Sequence, residues 1–237
     1  MGNAPDNTSG SEFDRFAGDY ASLHQRNIAI SGEEPAYFAD YKLHCVERLV
    51  GSNFREPVLD FGCGIGMLTE RLSHRFSEVH GYDPSSESLN IARGKSASTF
   101  HEQESLIPDR HFSLAILANV LHHVAPSDRN ALVRRVASKL REGSGRLVVF
   151  EHNPINPLTR YVVSRCEFDT DAVLLWPWQL NRLLTLNGFT SVSTKYIVFF
   201  PGFLAGLRRL EPYLGWLPLG AQMMVVGSFE NDRSNKI

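Results

Sequence analysis

Residues 60–66 read Asp-Phe-Gly-Cys-Gly-Ile-Gly, three glycines on alternate positions directly after the apolar run Val58-Leu59-Asp60-Phe61. Glycine there lets the backbone take positive φ and come close to a ligand. It also leaves the first amides of the following helix exposed. A buried strand, a glycine turn and a helix from Met67 to about Arg75 form one unit of a parallel α/β sheet. This unit governs the reading of the remainder.

The same rhythm recurs downstream. Glu78 to Asp83 reads as a second strand and Ser85 to Arg93 as a second helix, with Ser85 or Ser86 as its cap. A short strand is expected near Ser98 to His101, a fourth over Phe112 to Leu117, a helix over Arg129 to Leu140 and a fifth strand over Arg146 to Phe150. Strands alternating with helices of this length imply a mostly parallel sheet with helices on both faces. Upstream, 13–55 reads as a helical cap and 1–12 as a disordered tail. One domain over 13–230 accounts for the rest.

Beyond Glu151 the pattern changes. Residues 153–176 read as a long loop with Pro154, Pro157, Arg160, Arg165 and the acids Glu167, Asp169 and Asp171. Loops of that length in compact domains usually serve function, so it is expected on the substrate side. A helix over Gln179 to Asn187 then leads to a pair of strands, Val192 to Phe200 and Gln222 to Phe229. The second insertion, 201–221, separates them. Large apolar residues in and beside it, Phe199, Phe200, Phe203, Trp216 and Leu217, are read as core ahead of a pocket wall, and as a wall they would imply a partly apolar acceptor.

Composition removes several function classes. The chain has 237 residues, 24 basic against 26 acidic side chains, and no basic excess for nucleic acid. The longest uncharged stretch, Pro212 to Phe229, is broken by Pro218 and glycines, so no stable membrane insertion is expected. The start has neither a basic segment nor an apolar core, so no signal peptide is expected. Cys45, Cys63 and Cys166 lie far apart without ligand spacing. A reducing, cytoplasmic setting and a monomer or homodimer follow as expectations.

Two features specify the ligand of the turn. A dinucleotide fingerprint needs its third glycine at position 67, where Met67 stands, which counts against an NAD(P)-linked oxidoreductase. Asp83 closes the second strand about twenty residues on, where a carboxylate can accept hydrogen bonds from both hydroxyls of a ribose.

The segments VLDFGCGIG, GYDPSSESLNIAR, FSLAILANVLHHV and GRLVVFEHNP together resemble the class I S-adenosylmethionine-dependent methyltransferases, most specifically from Pro57 to Glu151. The resemblance implies a Rossmann-like seven-stranded sheet of order 3-2-1-4-5-7-6 with strand 7 antiparallel. It implies S-adenosylmethionine as cofactor and S-adenosylhomocysteine as product. By that likeness Asp60, Gly62, Gly64 and Gly66 wrap the methionine part, Asp83 holds the ribose and Asn119 lines the other side. The adenine contact falls within His101 to Glu104, with Gln103 the residue assigned, and Tyr20 in the cap closes over the cofactor. Phe112-Ser113 departs from the family's usual Phe-Asp.

Methyl transfer needs alignment and exclusion of water, and a base only where the acceptor must lose a proton. The candidates follow strands four and five, where ligands of open α/β sheets bind. His123 is first, because imidazole titrates near neutrality, with His122 and Glu151 beside it. His152 and Asn153 are expected at the substrate. No HxxxH or HxH spacing supports a metal, and none is expected. The expected reaction is O-methylation of a small, partly apolar acceptor. The rivals are N- or C-methylation, the oxidoreductase, and a catalytically silent ligand-binding module.

Overall fold

The computed structural model describes residues 32–166 and 172–230. The expected tail, residues 13–31 of the cap including Tyr20, and Glu167, Asp169 and Asp171 lie outside the described residues. The described part of the cap is one helix, α1 (Pro35–Val50), opened by a proline in its first turn and ended at Gly51, where φ is +81°.

Strands β1 (Val58–Phe61), β2 (Val79–Tyr82), β3 (Thr99–His101), β4 (Leu114–Ala118), β5 (Gly145–His152), β6 (Phe189–Ile197) and β7 (Gln222–Phe229) form one sheet of order 3-2-1-4-5-7-6. The first five pair in parallel, and β7 runs antiparallel to both β5 and β6. The carboxyl ends of β1, β2, β4 and β5 therefore share one edge. Chain order reverses across β1, which has β2 on one side and β4 on the other. Such a switch point opens a crevice for ligands.

Helices cover both faces. Alternate residues of the central strands point to opposite sides, so Leu59, Ala115, Leu117, Leu147 and Val149 join one apolar cluster while Val58, Leu114, Ile116, Val148 and Phe150 join the other. The first cluster is closed by α4 (Arg129–Lys139) and α6 (Pro177–Leu186), the second by α1 and α2 (Met67–Ser73). Between them in sequence lies α3 (Ser86–Arg93), whose Ser85 hydroxyl accepts the Ser88 amide at 3.1 Å. Ser85 is thus the cap.

Three expectations are corrected. The 153–176 segment contains a helix, α5 (Pro157–Val163), whose start is capped by the Asn156 side chain accepting from the Leu158 and Thr159 amides. Pro157 lies in its first turn, where proline favours rather than breaks a helix. Strand β6 begins at Phe189 rather than Val192 and ends at Ile197, with a register shift between Thr190 and Ser193 at the positive φ of Ser191. The bulge masks the alternation on which the sequence reading relied. Finally, Phe203 and Trp216 are not core residues; they are 81% and 75% exposed.

The second insertion comprises a 3₁₀ stretch, Gly202–Leu210, and the short α7 (Glu211–Leu214). Buried Glu211 fixes it. Its Oε1 accepts the Phe199 and Phe200 amides at 3.0 and 3.1 Å, and its other oxygen accepts the Tyr41 hydroxyl of α1. Arg208 pairs with Glu33 and lies over the Tyr37 ring at 4.4 Å. Helix and insertion thereby meet at the carboxyl edge of the sheet.

Candidate active site

The glycine turn grows out of β1 because Tyr82 of β2 accepts both the Gly62 and Cys63 amides, at 2.7 and 2.8 Å. All three glycines have positive φ: +81°, +50° and +74° at Gly62, Gly64 and Gly66. Their surroundings differ. A Cβ on Gly62 would lie 2.6 Å from Val120 Cγ2, and one on Gly66 would lie 2.7 Å from Ala92 Cβ. Those two are required by the protein's own packing. A Cβ on Gly64 would meet nothing within 4 Å, so that face opens to a ligand.

Acceptors lie at the neighbouring strand ends. Asp60 is 1% exposed; its Oδ2 accepts the Thr69 hydroxyl at 2.7 Å, while its Oδ1 is buried and has no hydrogen-bond partner. Burial pushes its pKa up to about 6, against the opposing pull of Thr69 and Lys42. Asn119, just past β4, has φ +59°, and its Oδ1 is also buried without a partner. Buried acceptors of this kind cost about 1–3 kcal/mol each unless something donates to them. A cationic ligand group bearing several N–H donors fits the pair.

Asp83 lies past β2. Its Oδ2 accepts the Gly64 amide at 2.8 Å and its Oδ1 the Ser85 amide at 3.0 Å. The carboxylate is thus fixed in orientation beside the turn. Gln103 is exposed at the start of a 3₁₀ turn, Glu104–Leu106. Glu104 itself pairs with Arg135 at 2.9 Å.

Across the crevice, β4 and β5 are tied by Glu151. It is 1% exposed, accepts the Leu121 amide at 2.8 Å, and meets His122 Nδ1 at 2.5 Å. Burial alone would raise its pKa, but His122 beside it, with His152 and the Leu121 amide, holds it below the usual carboxylate range. The structure thus brings buried His122, rather than exposed His123, onto Glu151. The His123 ring lies 4.1 Å from that of His122, and the His152 ring 5.1 Å.

Asn153 does not fit its expected role. Its Nδ2 donates to Pro218 O and Gly220 O at 3.1 and 2.8 Å, and its Oδ1 accepts the Ile155 amide. Both amide hydrogens are spent on joining the end of β5 to the second insertion.

Lys42 was missed from sequence. It is 7% exposed in α1, on the buried stripe of Ala39 and Val46, and its Nζ lies 6.0 Å from the centre of the Phe150 ring. Burial pushes its pKa down to about 8, while Glu151 and Asp60 pull it back up. A lysine within an apolar helical stripe is the signal that could have found it.

A family model described as a methyltransferase domain matches residues 24–194. A relative in Bacillus anthracis, an uncharacterised methyltransferase, is 28% identical over 146 residues, covering 59% of this chain and 66% of its own length. Among solved structures, a SAM-dependent methyltransferase from Archaeoglobus fulgidus superposes with a TM-score of 0.68 at 16% identity, over 88% of this chain and 99% of the other. A magnesium protoporphyrin IX methyltransferase from Synechocystis, solved with bound SAM, gives 0.62 at 15% identity, over 97% and 100%. The structures share the fold. With the family model spanning most of its length, the chain belongs to the methyltransferase-domain family.

Proposed function

We propose that this protein transfers a methyl group from S-adenosylmethionine to a hydroxyl of a small, partly apolar acceptor in the cytoplasm. The observation that carries the cofactor is the open face at Gly64, together with two unpartnered buried acceptors on the neighbouring strand ends, Asp60 Oδ1 of β1 and Asn119 Oδ1 just past β4. Those two, with the Gly64 backbone, hold the methionine part, and Asp83 accepts the ribose hydroxyls. When bound, the cofactor supplies a methyl group on a positively charged sulfur, open to in-line displacement, and S-adenosylhomocysteine remains.

The rest of the chemistry falls to the chain. On this reading His123 is the base that takes the proton of the acceptor hydroxyl. Glu151 and His122 are positioning residues, because both are buried and together fix the segments that follow β4 and end β5. His152 adds a polar contact for the acceptor. An apolar portion would meet the second insertion, which borders the same edge and exposes Phe203, Tyr213 and Trp216. Such surfaces commonly mark binding sites.

Incubation with methyl-labelled cofactor and a fractionated metabolite extract tests the proposal. Label on the oxygen of a small molecule is expected. Label on nitrogen or carbon alone would overturn the hydroxyl assignment. Binding of NADH without binding of S-adenosylhomocysteine would overturn the cofactor.

A further inference from the structure

At the other end of β2 from Asp83, a second group of chemically active side chains converges on one point. Glu78 precedes β2, His80 lies within it, and His111 precedes β4. One donor atom from each, a Glu78 carboxylate oxygen and a ring nitrogen of each histidine, lies within 4.8 Å of the other two. We propose that Glu78, His80 and His111 form a binding site for a divalent transition-metal ion of the zinc class, with His101 as the outer partner that orients His80.

The spacing suits such an ion. Glu78 Oε1 lies 2.5 Å from His111 Nε2 and 3.5 Å from His80 Nε2. Tetrahedral zinc with bonds of about 2.0–2.1 Å sets its ligand atoms roughly 3.3–3.5 Å apart. The ion enters by displacing the proton between Glu78 and His111, and those two side chains separate by about 1 Å. Both are partly exposed, so the movement needs no repacking of the core.

The ring of His80 is already oriented. It packs edge-on to fully buried Phe112 with centroids 5.1 Å apart, and its Nδ1 lies 3.0 Å from His101 Nε2. With the proton on Nδ1, donated to His101, Nε2 carries its lone pair toward Glu78. A lone pair and a carboxylate oxygen then face each other at 3.5 Å. That pairing is repulsive until a proton or a cation enters. A hydrogen-bonded partner on the far nitrogen of a ligating histidine is the usual supporting arrangement.

Two neutral imidazoles and one carboxylate suit zinc and its neighbours better than calcium or magnesium, which prefer oxygen ligands. Three protein ligands leave a fourth position for water. Bound there, the ion ties the start of β2 to the segment entering β4 and stabilises the fold by mass action.

The test uses tag-free, chelator-stripped full-length protein titrated with Co²⁺ and then Zn²⁺. One equivalent of Co²⁺ is expected to give the visible absorption of a four- or five-coordinate N/O site, which Zn²⁺ abolishes, and Zn²⁺ is expected to raise the melting temperature. Glu78→Gln and His111→Ala should each weaken binding at least tenfold, and His101→Asn about 10–100-fold. Cooperative melting of each stripped variant checks its fold, and His111→Ala, outside the strands, is the variant least able to disturb it. No absorption in the wild type would overturn the site. Absorption unchanged in both Glu78→Gln and His111→Ala would place the ion at other histidines and overturn it equally.

Discussion

Glu151 and His122, each 1% exposed, meet through Oε2 and Nδ1 and join the carboxyl ends of two neighbouring strands. Removing one member of a buried pair leaves the other uncompensated, at a cost of about 3–5 kcal/mol. Glu151→Ala should lose stability of that order in urea denaturation, and Glu151→Gln less, because an amide oxygen can still accept the Leu121 amide. The folded-state pKa of Glu151 is depressed. Its contribution is therefore complete above the unfolded value of about 4.3 and fades as pH falls through the lower folded value. Equal stability of wild type and Glu151→Ala would show that the pair contributes nothing.

Gly64 should control cofactor affinity separately from backbone strain. S-adenosylhomocysteine should raise the melting temperature of the wild type, since it binds only the native state. Gly64→Ala adds a methyl group in the open space and strains a φ of +50°. Gly143 also has positive φ and a Cβ there would meet nothing within 4 Å, but it lies in the turn between α4 and β5. Both variants should lose stability, by roughly 1–2 kcal/mol each. Only Gly64→Ala should lose the ligand-induced shift. Equal shifts in the two would remove Gly64 from the cofactor site.

Asp60 makes cofactor binding pH-dependent. With a pKa of about 6, it is mostly protonated at pH 5 and ionised at pH 8. A cationic amino group prefers the carboxylate, so the affinity for S-adenosylhomocysteine should rise about tenfold from pH 5 to pH 8. Calorimetry should record proton release near pH 6. Asp60→Asn should bind more weakly and flatten the profile. A flat profile in the wild type would mean that Asp60 does not face the amino group.

Lys42 should cost stability. Its folded pKa of about 8 lies below the ordinary 10.5, so the unfolded chain binds more protons between those values. Stability therefore rises with pH across that window, and below about pH 8 the full cost applies, roughly 3 kcal/mol at most. Lys42→Met should be more stable than wild type at pH 7. It should also move the midpoint of the Asp60 profile upward, because Lys42 helps to hold that carboxylate ionised. A less stable Lys42→Met with an unmoved midpoint would contradict both effects.

What was legible in the sequence follows from locality. The strand–turn–helix units around Asp60 and Asp83 carry their instructions within a few residues, so β1 to β5 and the Ser85 cap emerged close to where they lie. Helix α5 was hidden because Pro157 reads as a breaker unless Asn156 is recognised as its cap. Residues brought together by the fold were not legible. Lys42 reaches Asp60 and Glu151 only through the packing of α1. Glu78, His80 and His111 come together through strand pairing, so the local spacings that argued against a metal never covered them. Asn153 looked like a substrate ligand because nothing local shows that Pro218 and Gly220 take its amide.

The division of labour among the histidines is the remaining prediction. If His123 is the base, His123→Ala should keep its affinity for S-adenosylhomocysteine while turnover falls about 10²–10⁴-fold. Wild-type turnover should rise with pH as neutral imidazole becomes available. His122→Ala has a different signature, because His122 is fixed by Glu151 and nearly inaccessible. It should lose stability along with turnover, and the activity that remains should still titrate like the wild type. If His122→Ala removes the titration and His123→Ala retains it, the buried ring is the base, acting through Nε2 because Nδ1 is engaged by Glu151. If turnover survives in both variants, alignment and exclusion of water suffice, as for an acceptor that is already a neutral amine.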